Sequence, residues 1–314
     1  MRDKSIDIAK GLGIISVVYG HLLNCPIKNE IYLFHMPLFF FLSGYFFSVK
    51  NSVWSFIKKK IRALLIPAVL FLLLSFVVGY SLSHFDNLKE YIQSLTYFLA
   101  PNGVIWFLIA LFYIFIIAYI IEKYIHSLKI KIAITLAITG IGYFMAMHKI
   151  FILYFPQACL GYIFFYLGFL CRKLNIIVKF NKYKDYVIIG AFVAYSLGVI
   201  FDVRTDIAPL IIRQSYILFL IPAIGGIFII IYLSKYIQSY KWSNWIAYLG
   251  MNSLLIMCVH VPLNSALLYF GGEIIDNCYN NVYGCTLFFL PISVSLSLLL
   301  GLIIKNAFPF CFNK

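Results

Sequence analysis

The sequence predicts an all-α membrane protein: a polytopic helix bundle of about ten transmembrane helices, both termini cytoplasmic, forming one domain over 1–314. Three observations carry this reading. Hydrophobic residues make up 63% of the chain and charged residues 11%, with a mean hydropathy of +0.95, whereas a soluble domain carries about 25% charged residues. The apolar runs are long and continuous, without the alternation of a barrel strand. Backbone groups in lipid must be satisfied within the segment, so such runs become α-helices. Finally, the basic residues sit in short clusters between the runs.

Ten segments follow in order, judged against the roughly 20 apolar residues that a span needs. The first, 8–24, opens after MRDKSIDIAK. It resembles a signal peptide, but no small-residue cleavage site follows and cleavage would remove His21, so it reads as an uncleaved span. Asn24, Pro26, Lys28, Asn29 and Glu30 make a polar turn into 32–49, which contains FHMPLFFFLSGY. Segment 63–82 follows the basic cluster Lys58, Lys59, Lys60 and Arg62, and 101–121 contains NGVIWFL. Segments 130–147 and 151–171 are divided around Lys149, and 186–201 follows Lys182 and Lys184. The last three are 209–233, 245–270 and 282–304. With the N-terminus inside, only Lys28, Lys89, Lys149, Arg204 and Arg213 of the 25 basic residues fall outside, the asymmetry of the positive-inside rule. An odd number of spans would spoil it.

The same distribution argues against nucleic acid as a partner despite a net charge of +14; the partner it implies is the bilayer. Seven cysteines form no CxxC pair. Cys278 and Cys285 flank an expected outer loop and fit either a disulfide in an oxidising compartment or two free thiols. No intramembrane carboxylate or thiolate pattern accompanies the histidines, so no metal is expected. No internal repeat, linker or separate soluble domain stands out.

Chemistry is sought where ionisable groups lie in apolar sequence, because such groups are costly in a bilayer and face interiors or cavities. His21 and His35 flank the first turn, which brings both imidazoles to one depth as candidate catalytic groups. A neutral imidazole can accept a proton from a hydroxyl; helix-end histidines bonded to carbonyls are the plainer reading. Lys10 precedes His21 by eleven residues, hence nearly the same helix face, roughly 16 Å along the axis. That stripe suits a long anionic donor entering from the Lys10 end, although Lys10 also fits a snorkelling, topology-setting lysine. Arg62 abuts the third helix and can grip phosphate bidentately, and its cluster also fits a topogenic role. His260 is a third intramembrane imidazole, with Asn252 and Ser253 two turns earlier as candidates to donate into the same cavity. Ser43 and Trp106 read as packing residues, and His84, His126 and His148 as loop residues without a role.

IDIAKGLGIISVVYGH, FHMPLFFFLSGYFF, KKKIRALLIP, WFL and LGMNSLLIMCVH occur here in the order seen in the acyltransferase 3 superfamily of integral-membrane enzymes. The chain most resembles its fucose 4-O-acetylase-like and polysaccharide O-acetyltransferase branch. The resemblance implies ten spans in the plasma (inner) membrane, acetyl-CoA as cytoplasmic donor, and a cell-surface or lipid-linked glycan as acceptor. His21 and His35 would then be catalytic, Lys10 and Arg62 donor-binding, Asn252 and His260 substrate-binding. Family members carry arginine where this chain has Lys10, so charge is kept and the bidentate fork is lost. Some relatives add an esterase-like domain; without one here, transfer is expected to finish in the membrane or through glycan-assembly partners. A proton-coupled transporter of a small metabolite or lipid-linked sugar is the competing reading.

Overall fold

A computed structural model of the chain describes residues 3–22, 24–49, 52–82, 102–179 and 183–312, and singly 87, 89, 90 and 92. Every predicted segment is met by a helix. In chain order these are α1 (Lys4–Gly20) and α2 (Lys28–Tyr45), then α3 (Val53–Ser81), α4 (Gly103–Tyr124) and α5 (Leu128–Met147). α6 (Phe155–Lys173), α7 (Lys184–Ile200), α8 (Tyr216–Ile237), α9 (Ser243–Met251) and α10 (Ser253–Asn280) follow, and α11 completes the bundle between Val282 and Ala307. The structure is thus all-α apart from a short antiparallel hairpin, β1 (Thr205–Asp206) with β2 (Ile211–Ile212). Six helices of the described residues are long and apolar enough to cross a membrane: α3, α4, α5, α8, the first part of α10, and α11. His84 lies outside the described residues.

Two predicted boundaries move, for local reasons. The segment expected over 209–233 starts helical only at Tyr216, because residues 205–212 pair as the hairpin. Leu210 there takes a left-handed φ of 57°, and the Ser215 side chain caps the new helix at Ile217 N–H. The single segment expected over 245–270 is two helices, broken at Asn252 (φ −108°, ψ 15°). Prolines leave a second mark: α3 and α11 each contain a π-helical turn, Ile61–Leu65 before Pro67 and Cys285–Phe289 before Pro291. A ring that removes an i→i−4 bond is accommodated by such turns.

Small residues set the helix spacing, as is usual where lipid gives no hydrophobic drive to association. α1 lies centrally, packed against α2, α8, α9, α10 and α11. α2 crosses α6 so closely that a Cβ on Gly44 would strike the Phe165 carbonyl, and one on Gly168 the Phe41 carbonyl. This crossing is the frame that holds His35. Gly140, on α5, has nothing within 4 Å of its would-be Cβ. Gly44→Val or Gly168→Val is therefore expected to cost more than the roughly 1–3 kcal/mol of ordinary overpacking, since backbone cannot yield as a side chain does. Gly140→Ala should be neutral or stabilising by up to about 1 kcal/mol. Thermal unfolding in detergent distinguishes them: equal Tm values for all three variants would contradict the crossing described.

Candidate active site

α1, α2, α4 and α10 wall two adjoining cavities. The smaller, about 50 Å³, is lined by His21, Tyr32, His35, Trp106, Met257 and Asp206 among others. The larger, about 300 Å³, is lined by Lys10, Ser43, Phe46, Lys60, Ser253 and, again, Met257. Met257 is thus a shared wall, with the cationic groups on one side and the imidazoles on the other. The i, i+11 relation of Lys10 and His21 puts one in each cavity, because α1 is an unbroken helix between them.

The three imidazoles are held in the same way. Nδ1 of His21 lies 2.7 Å from the Val17 carbonyl, and that of His35 2.9 Å from the Ile31 carbonyl. Nδ1 of His260 lies 2.8 Å from Met257 O and 3.1 Å from Ile256 O. A carbonyl oxygen only accepts, so each Nδ1 donates, and each neutral ring keeps its lone pair on Nε2. A neutral Nε2 of this kind can take a proton from a hydroxyl. The bland reading of helix histidines bonded to backbone is therefore correct as geometry, and it is also what prepares the rings as bases. His260 meets His21 edge to face at 5.1 Å between ring centres. Its Nε2 is buried without a hydrogen-bond partner among the described residues, an expensive state for a polar atom. Tyr32, one turn before His35, meets it with the rings tilted by 58° and their centres 4.7 Å apart.

Asp206 brings a carboxyl to this chamber from the hairpin. Its Oδ1 accepts from Ala208 N–H at 3.2 Å, and Gln157 Nε2 pins the loop by donating to Ala208 O at 2.8 Å. Burial pushes the carboxyl up to about 6, against the pull of that N–H and of Lys28.

The family model described as an acyltransferase domain, Acyl_transf_3, matches residues 3–305. The chain belongs to the acyltransferase 3 family. Among curated proteins it is similar to the nodulation protein NolL of Mesorhizobium japonicum, 28% identical over 184 residues, which is 52% of this chain and 48% of that protein. NolL of Sinorhizobium fredii is 28% identical over 180 residues, 52% of this chain and 49% of its own. The chain spans about half the length of these relatives. No solved structure matches.

The family description is that of an acyltransferase domain rather than a transporter, and six helices of the described structure are long and apolar enough to cross a membrane. Within it, the expected residues are not all brought together. His21, His35 and His260 converge; Lys10 lies in the adjoining cavity. Arg62 does not reach that cavity: it is exposed within the π-helical turn, and Lys60 points in instead, its Nζ 3.2 Å from the Phe115 ring centre. Asn252 donates back to Tyr248 O at 3.0 Å in its own turn, and Ser253 lines the Lys10 cavity rather than the histidine chamber. Trp106, read as packing, also lines the chamber. His126 and His148 are exposed, and Cys278 and Cys285 are free thiols. Tyr32, Asp206 and Met257 went unread. Tyr32 was accessible through its i, i+3 relation to His35, whereas a loop carboxylate carries no periodicity.

The elevated Asp206 carboxyl has a testable sign. From its ordinary 3.8 up to about 6 the unfolded chain has released this proton and the folded chain retains it, so stability falls as pH rises through that window. Asp206 is faced by Lys28, Tyr32, His21 and His35. Asp206→Asn does not titrate and is expected to gain on the parent in thermal unfolding between pH 4 and 6, then hold a constant difference above it. Parallel profiles would contradict the burial of this carboxyl.

Proposed function

We propose that this acyltransferase moves an acetyl group from cytoplasmic acetyl-CoA to a hydroxyl of a cell-surface or lipid-linked glycan, in the plasma membrane. In this reading the chain spans the bilayer ten times with both termini cytoplasmic, and the Lys10 cavity opens inward. The observation that carries the proposal is the Met257 partition: a cavity with two lysines adjoins, through one flexible side chain, a chamber of Nε2 lone pairs. Met is the most adaptable apolar residue, suited to a wall that a thioester must pass.

The donor arm would lie in the larger cavity beside Lys10 and Lys60, its thioester at Met257. His21 would take the proton of the glycan hydroxyl on Nε2 as the oxygen attacks the thioester carbon. A C–O bond forms, the C–S bond breaks, and the imidazolium returns the proton to the CoA thiolate. His35 and His260 would orient the acceptor by accepting from its hydroxyls on Nε2. Arg62 and Asn252 are left at the periphery of this scheme.

General-base help is worth about 10²–10⁴-fold. His21→Ala is therefore expected to remove nearly all acylation with unchanged membrane insertion. Mass spectrometry of surface glycans from cells making the parent or the variant reads this directly: an acetyl increment should require both the protein and His21. Equal acetylation by a well-expressed His21→Ala variant would sink the assignment.

A further inference from the structure

Beyond the larger cavity lies a third, about 370 Å³, lined by Phe47, Ser48, Val49, Glu122, Arg172 and Lys173 among others. Phe46 separates the two. It lines the Lys10 cavity, with Lys10 Nζ 4.9 Å from its ring centre and the Arg172 guanidinium 5.9 Å from it. The residues lining the two cavities are nearly consecutive: Ser43 and Phe46 on one side, Phe47, Ser48 and Val49 on the other. Each cavity reaches the size of an ordinary ligand pocket, roughly 300–1,000 Å³.

Their chemistry differs in a way that matches the two ends of an acyl-CoA. Apart from Lys10, Lys60 and two serines, the inner cavity is apolar, fit for an uncharged amide-bearing arm. The outer cavity has the more polar lining for its length, with Arg172, Lys173, Glu122 and Ser48. Arg172 is positioned by a hydrogen bond to Tyr45 O at 3.1 Å. Glu122 is already satisfied, by Lys131 at 2.7 Å, Lys173 at 3.4 Å and Tyr166 OH at 3.3 Å. Because Lys131, outside the lining, already pairs with Glu122, Arg172 and Lys173 leave the cavity positive, with Phe169 and Phe47 as apolar surfaces for a base.

We propose that this outer cavity binds the phosphorylated nucleotide end of the donor, with Arg172 and Lys173 on its phosphates. The proposal rests on the acyl-CoA reading above and extends the site to residues outside both inner cavities. Arg172 can grip phosphate bidentately, and Lys173 acts as a point charge.

Binding tests it without knowledge of the acceptor. The full-length protein in phosphatidylcholine nanodiscs is titrated calorimetrically with CoA, 3′-dephospho-CoA and pantetheine. CoA should bind most tightly and pantetheine least. Arg172→Gln and Lys173→Gln should each weaken CoA on the order of ten-fold, the scale of a charge-assisted contact, and leave pantetheine unchanged. Lys173→Gln keeps Glu122 paired with Lys131, so this variant should fold even if Arg172→Gln does not. Equal loss for CoA and pantetheine, or loss confined to an exposed Lys59→Gln control, would overturn the site while leaving the donor assignment intact. Failure of every ligand to bind would overturn both. Repeating the titration in phosphatidylglycerol nanodiscs separates the remaining source of phosphate: variants that lose only lipid retention, with CoA affinity unchanged, would mark a headgroup pocket and contradict the proposal.

Discussion

The rest of the site depends on how closely the backbone of α1 can approach its neighbours. A Cβ on Gly250 of α9 would collide with the Asp7 carbonyl, and one on Gly11 of α1 with the Ile246 carbonyl. Gly13 faces the Leu38 and Phe39 side chains of α2. Held on both sides by these contacts, α1 has one rotation available to it. That rotation directs Lys10 into one cavity and His21 into the next. At the far end, Tyr19 OH meets Thr286 Oγ1 at 2.9 Å and Asn24 Nδ2 donates to Tyr279 O at 2.9 Å, which fixes the turn carrying His21.

The imidazoles show how the interior of a helix bundle can hold a neutral ring ready as a base without an acidic partner. In soluble hydrolases a carboxylate commonly orients the histidine and stabilises its cation. Here the orienting group is the carbonyl one turn back, present on any helix and free of charge. The arrangement sets the tautomer of all three rings without burying a second charge. The carboxyl of Asp206 enters the chamber from the hairpin, where burial pushes it up to about 6.

Much of this was legible in the sequence, and the rest was hidden for identifiable reasons. The pairing of Lys10 with His21 could be read because α1 is regular, so 11 residues return to the same face. Arg62 was misplaced for the opposite reason: the π-helical turn Ile61–Leu65 adds a residue to the turn and rotates the face, bringing Lys60 inward. Asn252 looked two turns from His260 on one helix, but the chain breaks there and its amide serves the turn it ends. The start of α8 was misjudged because Ile211 and Ile212, in the apolar run expected to open it, pair as a strand. Met257 and Asp206 act through long-range neighbours, which no local pattern encodes.

The chemistry of the chamber depends on His21 presenting an unprotonated Nε2, with the Val17 carbonyl holding the proton on Nδ1. Nitrogen NMR of the protein labelled with 15N-histidine, in nanodiscs at neutral pH, measures this most directly, with His21→Gln to assign the resonance. The account predicts a neutral His21 ring protonated at Nδ1. A His21 ring protonated at Nε2 would contradict it.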